Sequence, residues 1–126
     1  MSKAELLNSP DMLNGEDLGR ALGLSRTTID NRRVEGKLLA LEFPTKRGFR
    51  YPRWQRELVE ERQTREQFEA VLERLRTVGD WSRYRFFMQN APALNGRTPL
   101  EALRAGATDE VIAEAETWAR GEQGGA

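Results

Sequence analysis

Apolar residues fall along this chain in short bursts separated by glycine, proline and small polar residues. The clearest periodicity is Phe68, Val71, Leu72, Leu75 and Val78, which recur at helical spacing and mark one face of an amphipathic helix closed by Gly79. Asp80 is an N-cap candidate for a helix over 81–89 that carries Trp81, Tyr84, Phe86 and Phe87. Pro92 and Gly96 mark a loop. Thr98, Pro99 and Glu101 predict a short helix opened by a capping box and ended at Gly106. Thr108 is the expected cap of a last helix over 109–120, with Val111, Ile112, Ala115 and Trp118 apolar; the tail 121–126 is expected to be disordered when free.

The first third reads differently. Residues 3–8 allow at most a short helix before Pro10. Asn14 caps a helix over 16–22 that stops at Gly23, and Ser25 caps a second over 26–35 that stops at Gly36. Residues 38–43 form an apolar run too brief for a helix. Pro44 to Gly48 reads as a turn and 49–51 as a returning strand, a β-hairpin with Lys46 and Arg47 at its tip. The pattern predicts a mainly α chain with one small β-hairpin. Its expected parts are an N-terminal segment 1–13, a winged helix-turn-helix 14–56, a small helical bundle 57–120 and a flexible tail 121–126.

Charge sharpens that division. The 126 residues carry 20 Lys or Arg and 20 Asp or Glu, a formal balance of zero. Residues 1–56 nonetheless stand at +4 and residues 57–126 at −4, while the stretch 25–56 reaches +6. A basic region beside an acidic one suggests two different partners. The mixed signs of ERQTRE are ordinary helix solvation.

In residues 15–36, Leu18, Leu22, Leu24 and Ile29 fall where two short helices bury residues against each other. Gly19 is small enough for close approach, and Gly23 permits the left-handed turn between the helices. The second helix then exposes a polar set built for nucleic acid: Ser25, Arg26, Thr27, Thr28, Asp30, Asn31, Arg32 and Arg33. Arginine pairs with guanine and asparagine with adenine in the major groove. Lys37, Lys46, Arg47 and Arg50 are placed to touch phosphate or the minor groove. A helical hairpin with solvated charges is the plainer alternative, and Arg32 stands where an apolar core residue is common. Tyr51 and Trp54 either stack on bases or, as a small core demands, pack the hairpin onto the helices. The run GLSRTTIDNRRVEGKLL resembles the winged helix-turn-helix start of MerR-like and excisionase-like regulators.

The C-terminal run FFMQNAPALNGRTPLEALRAG is, by spacing alone, helix, loop and capped short helix. It resembles the toxin-binding domain of Xre/MbcA/ParS-type antitoxins, through Pro92, Leu94, Gly96, Arg97, Thr98, Pro99, Leu100, Leu103, Gly106 and the following Val111. The likeness spans about residues 68–120, and the hairpin ending Phe49-Arg50-Tyr51-Pro52 also looks like members of that family. It implies an antitoxin of a type II toxin-antitoxin system. Such a protein blocks a cognate protein toxin, often an NAD-degrading RES-domain protein, and binds its own promoter as an autorepressor. On this chain the resemblance points to Arg97, Arg104, Trp118, Arg120, Gly121 and Glu122 as toxin contacts, although Arg97 alone could serve to hold a helix end and Trp118 to fill the core. The winged front departs from the helix-rich N-terminal domain of Xre-named members. The alternative is a phage or mobile-element DNA-binding protein, excisionase-like or terminase-small-subunit-like, whose C-terminal helices only oligomerise.

Catalysis is not expected. The chain has no Cys and no His, which removes thiol chemistry, zinc-thiolate sites and the commonest general base. Adjacent carboxylates such as Glu60-Glu61 and Asp109-Glu110 lack the buried, split setting of acid-base work. No phosphate-binding loop or nucleophile elbow is present. The sequence therefore predicts no cofactor, no metal and no membrane span, a cytoplasmic location and double-stranded DNA as a partner, to which the resemblance adds a protein toxin. A homodimer is expected because paired half-sites raise avidity, with the Phe68 to Val78 face one candidate surface for it.

Overall fold

The computed structural model describes residues 2–43 and 48–124. Over that span the chain is mainly helical, with one small antiparallel sheet of three strands. Helix α1 (Lys3–Leu7) opens on Ser2, whose side chain accepts from the Glu5 amide. Strand β1 (Met12–Leu13) leads into α2 (Gly15–Leu22), capped by Asn14 through the Asp17 amide. Gly23 turns the chain at φ 69°, and Ser25 accepts from the Thr28 amide to open α3 (Arg26–Val34). Both caps satisfy amides that the first helical turn leaves without partners.

Strands β2 (Leu41–Glu42) and β3 (Phe49–Pro52) follow. The sheet order is β1-β3-β2, with Leu13 opposite Tyr51 and Leu41 opposite Arg50. The expected hairpin strand at 38–43 is regular only at Leu41 and Glu42. Leu38, Leu39 and Ala40 are buried without a strand partner, because Gln55 ties that stretch instead. The Gln55 carboxamide accepts from the Leu39 amide at 2.9 Å and donates to the Leu39 carbonyl at 2.8 Å. A fully buried side chain thus replaces a ladder rung. The third strand was not anticipated. It comes from the N-terminal segment, whose Leu7 and Met12 pack with Leu41 and Phe43 in a second apolar cluster.

The remaining helices are α4 (Gln55–Glu60), α5 (Arg62–Arg74), α6 (Asp80–Met88), α7 (Pro99–Arg104) and α8 (Thr108–Gly124), with a 3-10 turn at Pro92–Leu94. The boundary drawn at 56/57 falls inside α4. One continuous apolar cluster runs from Leu13, Leu18 and Ile29 through Phe68, Phe86 and Phe87 to Val111 and Ala119. Trp54 joins the halves, with its ring centroid 6.0 Å from Phe68 and 5.3 Å from Phe87. Each such aromatic side chain withdrawn from water stabilises the fold by about 1.5–3 kcal/mol.

Several expectations change. The Phe68, Val71, Leu72, Leu75 and Val78 face is buried in this chain's own core, so it offers no surface to a second copy. Asp80 is the first residue of α6 and not its cap; its carboxylate accepts from the Glu42 amide and the Trp81 amide, tying α6 to β2. Thr108 lies inside α8, and its hydroxyl is buried with no hydrogen-bond partner among the described residues. The last helix does not stop at Arg120 but continues to Gly124, so Gly121 and Glu122 of the expected flexible tail are helical. No helix among the described residues is long and apolar enough to cross a membrane.

Candidate nucleic-acid interface

Helices α2 and α3 meet at Gly19. A Cβ on that residue would lie 2.6 Å from the Leu24 carbonyl oxygen and 3.4 Å from Ile29 Cγ1. Leu18 and Ile29 are fully buried at the contact, with Leu22 and Leu24 packed at its edge. Ile29 thereby fixes which side of α3 faces inward. Ser25, Arg26, Thr27 and Asn31 are exposed, whereas Thr28, Asp30, Arg32 and Arg33 are half-buried.

The basic residues of α3 are in different states. Arg33 is tied to the fold: its Nε donates to the Tyr51 hydroxyl at 3.2 Å, and its guanidinium lies 3.9 Å from the Phe49 ring centroid. Only 22% of its side chain is exposed. Asp30 sits between Arg26 at 3.5 Å and Arg33 at 3.6 Å. Arg26 keeps most of its side chain in solvent, so that pair is weak and readily exchanged. Lys37 is exposed and pairs at 3.7 Å with Glu35.

Tyr51 is buried, and Arg33 reaches it from α3. Burial raises its phenol above the ordinary tyrosine value, opposed by the hydrogen bond and charge of Arg33. Tyr51 and Trp54 are therefore packing residues rather than surfaces for bases. Arg50 on β3 stacks over Phe43 at 4.6 Å and donates to the Phe49 carbonyl. Lys46 and Arg47, the expected tip contacts, lie outside the described residues.

On its other flank α3 faces α5 across a polar cleft of about 360 Å³ lined by Thr28, Asn31, Arg32, Glu35, Lys37, Arg65, Glu66 and Glu69. Arg32, which interrupts the apolar pattern, therefore lines this cleft rather than the core. One exposed residue of α3 was missed from sequence. Val34 is 75% exposed at the last turn. Its signal was present, since five residues after Ile29 a side chain points roughly 140° away from it around a helix.

The six expected protein-contact residues do not form one cluster of free groups. Arg97 donates to the Leu94 carbonyl at 3.0 Å, bracing the 3-10 turn. Trp118 donates through Nε1 to Ser82 at 2.9 Å and packs edge-on against Phe86, 5.7 Å between centroids. Arg120, Gly121 and Glu122 are exposed on the end of α8, with Glu122 3.6 Å from Arg85 of α6. Arg104 stands on the other side of α7, 3.9 Å from Glu57. It borders a groove of about 390 Å³ whose apolar lining is Trp54, Tyr84, Met88 and Leu100, with Asp11, Arg53 and Glu57 around it. The capping box expected at Thr98 and Glu101 is present, and its hydrogen bonds draw the Glu101 carboxyl below the ordinary glutamate value.

No group of three or more acidic residues among the described residues is arranged to hold a metal ion. No protein-family model, curated protein or solved structure matches this chain.

Proposed function

We propose that this chain is a DNA-binding antitoxin, with a winged helix-turn-helix front that grips promoter DNA and a helical rear that covers a protein toxin. One observation carries the DNA half. The α2–α3 pair, closed at Gly19 and turned at Gly23, leaves Thr27 and Asn31 of α3 exposed on the side opposite Ile29, with Arg26 exposed at its first turn. A helix presented in that way fits a major groove, with its capped N-terminus near phosphate. One side-chain bond, Arg33 of α3 to Tyr51 of β3, links α3 to the β2–β3 hairpin and supports reading that hairpin as a wing. Local charge agrees, at +6 over residues 25–56.

The protein-binding half rests on the sequence resemblance at residues 92–106. Its exposed groups are Arg104, Arg120 and Glu122, each with only a surface partner, together with the groove beside Met88, which is 43% exposed. Arg97 braces the 3-10 turn and Trp118 ties α8 to α6.

A gel shift on the DNA upstream of the chain's own reading frame tests the first half. Arg26→Ala and Asn31→Ala are expected to lose about 1–3 kcal/mol of sequence discrimination each. Unchanged promoter binding by both variants would end the assignment of α3. Co-expression with the protein encoded beside it tests the second. The wild type is expected to restore growth, and Arg104→Glu combined with Arg120→Glu to fail. Full rescue by that double variant would remove this surface.

A further inference from the structure

We infer that a pocket at the C-terminal end of α6 receives one arginine side chain of the protein partner. The inference rests on the protein-binding reading above and deepens it, by naming the chemistry the partner presents there. The pocket holds about 190 Å³ and is lined by the end of α6, the 3-10 turn, the start of α7 and α8. That is smaller than the ~300 Å³ at which small-molecule sites begin, and it suits a single inserted side chain.

Three features select a cation. Glu114 is half-buried on α8 and pairs with no cation among the described residues, although Glu116 pairs with Arg74 at 3.0 Å and Glu122 with Arg85 at 3.6 Å on the same helix. A carboxylate partly withdrawn from water gains from an opposite charge brought to it. No Lys or Arg lines the pocket, whereas the cleft between α3 and α5 and the groove beside Met88 each mix both signs. The pocket also sits where Gln89 leaves α6 in an extended conformation at ψ 132°. The last helical carbonyls carry the negative pole of a helix, which attracts cations.

The rest of the lining separates arginine from lysine. Trp118 stands one turn after Glu114 on α8, so carboxylate and indole share a face. The indole is held by its Nε1 bond to Ser82 at 2.9 Å and its edge contact with Phe86, and it remains only half-buried. Pro92 and Pro99 extend the apolar wall. Asn90 donates its Nδ2 to the Gly96 carbonyl, which leaves the carboxamide oxygen as a further acceptor in the lining. A guanidinium is planar and weakly hydrated, stacks on an indole, and donates two parallel bonds to a carboxylate. An ammonium is a strongly hydrated point charge and gains less from such a wall.

The test titrates the full-length, isotope-labelled chain with Nα-acetyl-arginine amide and with Nα-acetyl-citrulline amide, which keeps the shape and lacks the charge. The arginine compound is expected to shift the Trp118 indole N–H signal saturably, and the citrulline compound to bind about tenfold more weakly. Glu114→Gln is expected to bring both compounds to the same weak affinity. Equal binding of the two by the wild type, or arginine binding undiminished in Glu114→Gln, would overturn this inference alone. So would tighter binding of Nα-acetyl-lysine amide, or of free arginine, whose charged ends a partner's chain lacks. A second arm measures affinity for the protein encoded beside this chain's reading frame. Glu114→Gln is expected to weaken it about tenfold, and equal affinity of variant and wild type would again overturn the inference alone. A wild type that holds no such protein would overturn the protein-binding reading, and this inference with it.

Discussion

Arg33 of α3 donates to the hydroxyl of Tyr51 on β3 at 3.2 Å, joining the exposed helix of the front half to the middle strand of the sheet. The bond spans 18 residues of chain and crosses the hairpin connection. It ties α3 to β3, with Phe49 beneath the same guanidinium. A residue that looks in sequence like one more cation for DNA is thereby a packing residue between α3 and β3.

Tyr51 makes this joint sensitive to alkali. Burial raises its phenol, so the folded protein holds the proton when the unfolded chain has lost it. Its contribution is whole below the ordinary tyrosine value, about pH 10, and is lost as the pH climbs through the raised folded value. Urea midpoints measured from about pH 9 to about pH 11 are expected to decline for the wild type and less steeply for Tyr51→Phe. Burial raises Tyr84 as well, so some decline remains. An identical slope in the variant would remove Tyr51 from the account. At neutral pH the same variant is expected to cost about 0.5–1.5 kcal/mol through the lost hydrogen bond.

Two glycines of the front half resist substitution for different reasons. Gly19→Ala drives a methyl against the Leu24 carbonyl, a backbone atom that cannot swing away, and is expected to cost about 1–3 kcal/mol. Gly23→Ala meets nothing within 4 Å but must hold φ 69°, a strain of about 1–2 kcal/mol. Chemical denaturation gives both costs. DNA binding separates them: Gly19→Ala shifts α3 and is expected to weaken specific binding even where the protein remains folded. Equal specific affinity in folded Gly19→Ala and wild type would refute that close packing positions α3.

The capping box of α7 sets a second pH dependence, of opposite sense. The Thr98 amide donates to Glu101 at 2.9 Å, and the Glu101 amide donates to Thr98 at 3.1 Å. Hydrogen bonding to Thr98 holds the Glu101 carboxyl below its ordinary value. Its stabilisation is therefore present above about pH 4.3 and fades as the pH falls through the depressed value. Thr98→Ala is expected to lower stability by about 0.5–2 kcal/mol at neutral pH, and Glu101→Gln, which removes the titrating carboxyl, to flatten the acid limb. A variant whose acid limb matches the wild type would show that the bond does not persist in solution.

Thr108 is a place where removing a polar group is expected to help. Its hydroxyl is buried in α8 with no hydrogen-bond partner among the described residues. Thr108→Val keeps the shape and deletes the stranded oxygen. The thermal midpoint is expected to hold or rise, by up to about 1 kcal/mol in stability. A clear fall would mean that the hydroxyl does cap the helix, as its place in the sequence suggests.

Much of this molecule was legible in short-range chemistry. Asn14, Ser25 and the Thr98–Glu101 box are caps that act within three residues, so local sequence determined them. The apolar periods of α2, α3 and α5 likewise announced which faces turn inward, because helical geometry converts spacing into direction without further information. What the chain does with those faces was decided only in three dimensions. Residues 12 and 13 become a strand because β3 has an open edge for them. Gln55 replaces a strand partner for Leu39, Asp80 leaves its expected cap position to hold Glu42, and the Phe68 to Val78 face closes on its own core. Arg33, one cation among several in the sequence, stacks on Phe49 and bonds Tyr51, while Val34 beside it is left in water. Each of these depends on partners far along the chain, whose approach is set by the packing of the whole core and not by any local pattern.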